Sequence, residues 1–173
     1  MSKGFSGLFN NTKGNPAAGS LNLMNEKDLF LINIKHSKDL DACGRLDIIA
    51  HGAINAIEIN LNGKNYTINH RTLSKMIKIN KFTKSIRLLS CDTGSSANGF
   101  AQNLANKLNI VVEAPNKILW AYPNGHYIVA SRDPKQPYKP NLNDLGKFIK
   151  FYPGGTKNGR KQMWKMWLSI NTI

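Results

Sequence analysis

The sequence contains few cysteines, few acidic residues and no long apolar run, and these shortages exclude several classes of protein. Two cysteines, Cys43 and Cys91, are too few for a disulfide-dense scaffold. No apolar run approaches the roughly 18–20 residues of a membrane-spanning helix, and residues 1–19 lack the continuous apolar stretch of a signal peptide. Hydrophobic residues still make up 41% of the 173 residues, which is enough for the core of one globular domain.

The shortage of acidic residues leaves a large positive charge. Ten Asp and Glu residues oppose 24 Lys and Arg residues, which gives a formal net charge of +14. Such a surplus attracts polyanions, and the candidate partners are nucleic acid, an anionic membrane face, an inositol phosphate or an acidic protein. Four lysines recur every three residues and form a candidate anion-binding stripe: Lys75, Lys78, Lys81 and Lys84. An ordinary solvated surface explains the same lysines, so charge alone selects no function.

The composition divides the chain into three parts. Residues 1–20 are rich in Gly, Asn and Ser and are interpreted as a linker or docking arm. Residues 21–153 alternate short apolar segments with segments of helical periodicity, which predicts a mostly parallel sheet flanked by helices, with antiparallel hairpins added at an edge. Residues 154–173 begin within a Pro-Gly-Gly breaker at 153–155 and predict a basic amphipathic C-terminal helix.

Periodicity predicts individual elements within this α/β domain. Strands are expected at 28–34, 45–50, 85–90 and 110–114. Helices are expected at 72–79, 98–108, 142–151 and 162–170. The Asn62-Gly63 pair between two alternating stretches predicts a β-hairpin, and a second hairpin is expected around Pro123-Asn124-Gly125.

Two of the predicted strands end in residues that can perform chemistry. His51 and Gly52 follow the strand at 45–50, and Cys91 follows the strand at 85–90. Ligands of open α/β sheets bind outside the carboxyl ends of the strands. If these two strands are parallel neighbours, His51 and Cys91 lie together at that edge, and the intervening residues are sufficient for the crossover that a parallel pair requires.

A neighbouring thiol and imidazole predict nucleophilic catalysis. An imidazolium lowers the pKa of a nearby thiol, the thiolate attacks an acyl carbon, and the imidazolium then protonates the leaving group. The backbone amides of Gly52 and Cys91 are candidate donors to the oxyanion. This chemistry needs no metal or organic cofactor, and the sequence has no typical metal-ligand spacing. The alternative is a buried structural cysteine, which is common.

Further polar residues are candidates for supporting roles at this site. Asn33, Asp47 and Asp92 are candidates for a third member that orients His51, and Ser90 and Asp92 are alternatively candidates for the substrate pocket.

The segments AHG (50–52) and LLSCDTGSS (88–96) resemble the cysteine peptidases of the caspase-like fold. That group includes caspases, legumain-like and clostripain-like enzymes, and the self-processing peptidase domains of large bacterial toxins. The resemblance covers residues 28–129 and implies a caspase-like catalytic domain over 21–153. It also implies that Cys91 is the nucleophile, that His51 is the general base and acid, and that Gly52 is an oxyanion donor.

Residues 88–115 also resemble the C-terminal domains of bacterial polymorphic toxins. This resemblance implies a payload that is secreted or contact-delivered from a bacterium, acts in the target-cell cytoplasm and is neutralised by an acidic immunity protein. The self-processing relatives imply inositol hexakisphosphate as an activator, for which the lysine stripe is the candidate site. Two hypotheses compete with the peptidase: a basic domain that binds or cuts nucleic acid, and a non-enzymatic module that binds an acidic partner.

Overall fold

Short aliphatic segments form the central sheet, and amphipathic segments pack against it. The computed structural model describes residues 19–154. The strands are β1 (Gly19–Asn22), β2 (Arg45–Ile49), β3 (His51–Ala53), β4 (Ala56–Leu61), β5 (Lys64–Ile68), β6 (Ser85–Leu89), β7 (Val111–Pro115), β8 (Ile118–Ala121), β9 (Tyr127–Arg132), β10 (Pro140–Leu145) and β11 (Phe148–Phe151). The helices are α1 (Leu29–Lys35), α2 (His70–Met76) and α3 (Phe100–Leu108).

The central sheet is mostly parallel, as the sequence predicts. Its five strands lie in the order β1-β2-β6-β7-β11. The first three neighbouring pairs are parallel, and only β11 runs antiparallel, against β7. Two three-stranded antiparallel sheets, β3-β4-β5 and β10-β9-β8, accompany it. The prediction of an α/β fold with a mostly parallel sheet and antiparallel additions is therefore confirmed.

Separate hydrophobic clusters lie on the two faces of the central sheet. On one face, α2 and α3 cover the sheet, and Leu73, Phe100 and Leu104 are fully buried there. On the other face, α1 and the β8-β9 hairpin pack through Leu31, Ile34 and other buried side chains. Burial of this apolar surface supplies most of the driving force for the fold. The second face is called the α1 face below.

The Asn-Gly turn has the backbone conformation that a tight hairpin requires. Asn62 and Gly63 both have positive φ angles, of 52° and 81°, between the paired strands β4 and β5. Two consecutive left-handed residues match the right-handed twist of the flanking strands. The expected hairpin of β8 and β9 is also present.

Two predicted elements are wrong, and both errors have a physical reason. Residues 28–34 form helix α1 rather than a strand, because Asp28 caps the helix and Leu31 and Ile34 share its buried face. Residues 142–151 form β10 and β11 rather than a helix. β11 pairs with β7 as the last strand of the central sheet, and this pairing buries Phe151 in the cluster that contains the α3 side chains.

Some predicted features lie outside the described residues. These are the C-terminal helix at 162–170 and residues 1–18 of the predicted linker. Strand β1 begins at Gly19 and pairs with β2, so the last two residues of the predicted linker at 1–20 belong to the sheet. Within residues 19–154, none of the helices has the length and apolar character needed to cross a membrane.

Candidate functional site

Strands β2 and β6 bring His51 and Cys91 to the same edge of the sheet. The two strands are parallel, and Ile49 is the register partner of Leu89. The ladder continues for one more residue, because the Ala50 amide donates to the Leu89 carbonyl at 3.3 Å. His51 and Cys91 each come two residues after this register pair, so they occupy equivalent positions beyond the carboxyl ends of their strands.

The alternation of side chains places both residues on the α1 face. Side chains two positions apart along a strand point to the same side of a sheet. Ile49 and Leu89 are buried on the α1 face, and Cys91 packs against the same cluster. The His51 ring contacts Phe30 from α1, with ring centroids 5.9 Å apart. The imidazole and the thiol therefore lie on one side of the sheet at one edge.

Gly52 shows how closely the two strand ends approach each other. A Cβ atom built on Gly52 would lie 2.6 Å from the Cys91 carbonyl oxygen. It would also lie 2.9 Å from Ser90 Cβ and from Thr93 Cγ2. Real Cβ contacts essentially never fall below 3.0 Å. The position after His51 thus requires glycine so that the Cys91 turn can pack against it.

The side chain of His51 is held by residues at the start of α1. Its Nε2 atom lies 2.9 Å from Asp28 Oδ2, and 47% of its side chain is exposed. The other oxygen of Asp28 accepts hydrogen bonds from the amides of Phe30 and Leu31. Sequence reasoning missed Asp28 because the segment was interpreted as a strand. The available signal was an Asp directly before apolar residues at helical spacing, which is the pattern of a helix N-cap.

The surroundings of Cys91 favour the protonated form of its thiol. Burial raises the pKa of the Cys91 thiol, and this effect exceeds that of the Leu119 carbonyl, which lowers the pKa. Sγ donates to that carbonyl at 3.8 Å. Among the described residues no hydrogen bond joins Cys91 to His51. The lowering of the thiol pKa expected for a hydrogen-bonded thiol and imidazole does not apply to this arrangement, in which burial acts in the opposite direction.

Asp47 and Asn33, two of the candidates for orienting His51, make other contacts. Asp47 is fully buried and forms ion pairs with Arg45 and Arg87, each at 2.8 Å. Asn33 donates to the Ala121 carbonyl at 3.0 Å. Neither side chain hydrogen-bonds to His51. The carboxylate that does so is Asp28.

The third candidate, Asp92, and its neighbour Ser90 belong to the turn around Cys91. Ser90 is 1% exposed and its hydroxyl pairs with that of Thr93 at 3.0 Å, so it does not face an open pocket. Asp92 is partly exposed and has a φ of 57°, a left-handed conformation that few residues other than glycine adopt. Burial raises the pKa of Asp92, against a smaller opposing effect of Arg132. Asp92 borders the thiol without contacting His51.

A shallow cleft with about 310 Å³ of open space lies beside His51. It is lined by Met24, Asn25, Asp28, His51, Glu58, Ile59, Asn60 and Asn65. Glu58 is the cross-strand partner of His51 and accepts a hydrogen bond from Asn65 at 3.0 Å. Cys91 does not belong to this lining, so the cleft exposes the imidazole side of the site.

The four lysines of the predicted stripe are all exposed at the surface. Only Lys75 lies on α2, which ends at Met76. Lys81 lies over the Phe82 ring at 5.0 Å, and the stem of Lys84 packs near Gly44. Their use as an anion site stays a prediction.

Cys43 and Cys91 are both free thiols. Cys43 is exposed, whereas Cys91 is half-buried. Among residues 19–154, no group of three or more His, Cys, Asp or Glu side chains is arranged to hold a metal ion.

The fold and this sheet edge define a mixed α/β domain with a histidine and a cysteine at adjoining strand ends and a capping aspartate at the start of α1. The chain belongs to a family described as a domain of unknown function (DUF8616), whose model matches residues 19–129. The match covers β1 to β8 and part of β9, and it includes Asp28, His51 and Cys91. No curated protein and no solved structure matches the chain.

Proposed function

We propose that this domain is a thiol-dependent acyl-transfer enzyme, specifically a caspase-like cysteine endopeptidase. The observation that supports this most is the parallel register of β2 and β6, which gives His51 and Cys91 equivalent positions on one face at one sheet edge. Ligands bind at this edge in open α/β sheets. A nucleophile next to a base that is itself oriented by a third group is the general pattern of covalent catalysis.

In the proposed reaction the neutral thiol is deprotonated as it attacks. Cys91 Sγ turns from the Leu119 carbonyl toward the substrate, forms a bond to the acyl carbon and transfers its proton to the His51 imidazole. The Gly52 and Cys91 amides are the proposed donors to the oxyanion. The C–N bond then breaks, and the imidazolium returns the proton to the leaving amine. Water hydrolyses the thioester with His51 as base, which restores the thiol.

A peptide-library digestion tests this proposal. The purified chain is incubated with a proteome-derived peptide mixture, and new termini are identified by mass spectrometry. Cleavage by the unaltered protein and by Cys43→Ala, but not by Cys91→Ala or His51→Ala, is expected. Circular dichroism of each variant checks its fold. Absence of cleavage by the unaltered protein, or cleavage that survives Cys91→Ala, contradicts the proposal.

The same samples separate the nucleic-acid alternative. A basic nuclease domain in which the Cys/His pair is incidental would degrade RNA or DNA equally well with and without Cys91. That alternative draws on the net charge of +14. Binding to nucleic acid through charge would weaken steeply as the salt concentration rises.

The biological setting is part of the proposal. We propose a bacterial toxin payload that is secreted or contact-delivered, acts in the target-cell cytoplasm and is neutralised by an acidic immunity protein. Cytoplasmic expression should then arrest growth, and Cys91→Ala should abolish the arrest. Inositol hexakisphosphate, the proposed activator, should raise cleavage in the unaltered protein and less so when Lys75 and Lys78 are both changed to Ala.

A further inference from the structure

We infer that Asp28 is the positioning residue for His51 and fixes which imidazole nitrogen carries the proton, an inference that rests on the proposed function. Asp28 Oδ2 lies 2.9 Å from His51 Nε2. A carboxylate offers only acceptors, so Nε2 must hold a proton to make this hydrogen bond. In the neutral imidazole Nδ1 is then the unprotonated nitrogen and the base that accepts the thiol proton.

The Asp28 carboxylate is fixed on its other side by helix α1. Oδ1 accepts from the Phe30 amide at 2.8 Å and from the Leu31 amide at 3.4 Å. Leu31 is fully buried, which anchors this first helical turn in the core. Phe30 packs against the imidazole with an interplanar angle of 36°. The start of α1 therefore restrains both the orientation and the hydrogen bonding of His51.

Because one oxygen of Asp28 caps α1 and the other faces His51, the substitution Asp28→Asn tests which imidazole nitrogen carries the proton. The two α1 amides require an acceptor, so the side-chain oxygen of the introduced asparagine must face them and its NH₂ group must face His51. Nε2 then has to accept a hydrogen bond, and the ring proton moves to Nδ1. Asparagine is as good an N-cap as aspartate. The substitution thus inverts the tautomer while the helix cap is kept.

The test uses ¹⁵N-labelled full-length chain and long-range ¹H–¹⁵N spectra, which distinguish the two neutral imidazole tautomers. The unaltered protein should have the proton of His51 on Nε2, and Asp28→Asn should have it on Nδ1. Asp28→Ser keeps a capping oxygen but does not reach His51, so a mixture of tautomers is expected. Glu26→Gln is the control, because it removes a charge from the same loop at a residue that pairs with Lys35.

Cleavage activity is measured on the same variants. Asp28→Asn should lose at least about 100-fold in kcat, since general-base catalysis contributes that much, and Glu26→Gln should lose none. An unchanged tautomer in Asp28→Asn overturns the positioning inference whatever the activity. An inverted tautomer with full activity overturns His51 as the base, and hence the proposed function, and leaves Asp28 without a role in the reaction.

Discussion

Replacement of Gly52 by alanine tests whether Gly52 and the turn around Cys91 lie as close together as they do in the structure. The new methyl group would lie 2.6 Å from the Cys91 carbonyl oxygen and 2.9 Å from two further carbon atoms. A backbone oxygen cannot move aside as a flexible side chain can, so either β3 or the Cys91 turn must shift. Overpacking of this kind costs about 1–3 kcal/mol, and the contact with a backbone atom places Gly52→Ala in the upper half of that range.

The matched control is Gly19→Ala, because a Cβ atom at Gly19 meets nothing within 4 Å. It should change the free energy of unfolding by less than about 0.5 kcal/mol. Urea unfolding followed by circular dichroism measures both variants, and the melting temperature of Gly52→Ala should fall by about 2–4 °C per kcal/mol for a chain of this size. Equal stability of the two variants would refute the close approach of Gly52 to Cys91.

Three further predictions concern buried or half-buried groups. Asp47→Asn neutralises the fully buried carboxylate that Arg87 contacts together with Asp39, and it should cost about 3 kcal/mol in urea unfolding, the lower end for a broken buried pair because Asp39 still compensates Arg87; a cost near zero would mean that Asp39 alone is sufficient. Burial raises the pKa of Tyr127 to about 12. Because the folded-state pKa exceeds the unfolded value of about 10, stability should be full below pH ~10 and fall toward pH 12. Tyr127→Phe should therefore lose less stability between pH ~10 and 12 than the unaltered protein does. Identical pH profiles of stability for the two proteins would contradict the raised pKa of Tyr127. Since burial also raises the pKa of Cys91, iodoacetamide at neutral pH should modify exposed Cys43 first, as peptide mass spectrometry would show; faster modification of Cys91 would contradict the pKa shift.

The sheet was predictable because its strands are short aliphatic runs bounded by turn residues. The segments containing Ile48-Ile49 and Leu88-Leu89 are buried on both faces, and such strands are typical of parallel sheets. The Asn62-Gly63 turn was predictable for a local reason, since its backbone conformation depends on the two residues themselves. These features need no knowledge of distant contacts.

Helix α1 and the final strands were not predictable in the same way. The sequence Leu29-Phe30-Leu31-Ile32 is apolar enough for a strand, and the cap hydrogen bonds of Asp28 decide in favour of a helix. β11 is a strand because it pairs with the edge strand β7, and this pairing is a tertiary contact. In segments such as β11, tertiary contacts decide the secondary structure against the local propensity of the residues.

The site was predictable to the extent that it depends on strand ends. His51 and Cys91 could be proposed from their positions after two apolar strands, whereas Asp28 lies 23 residues before His51 and reaches it only through the fold. The raised pKa of the Cys91 thiol could not be predicted from the sequence either, because it results from burial of this side chain in the fold. Burial of one side chain depends on packing that a local pattern does not contain.

Chemical cross-linking measures whether the Cys91 thiol and the His51 imidazole lie within reach of each other. The reagent 1,3-dibromoacetone alkylates a thiol and then a nucleophile within reach of its three-carbon span. If both groups lie at one sheet edge, mass spectrometry should identify one product in which the Cys91 peptide is joined to the His51 peptide, and this product should be lost in His51→Ala. A Cys91 peptide joined to a different residue, or alkylated without any cross-link, would show that the thiol and the imidazole are not neighbours.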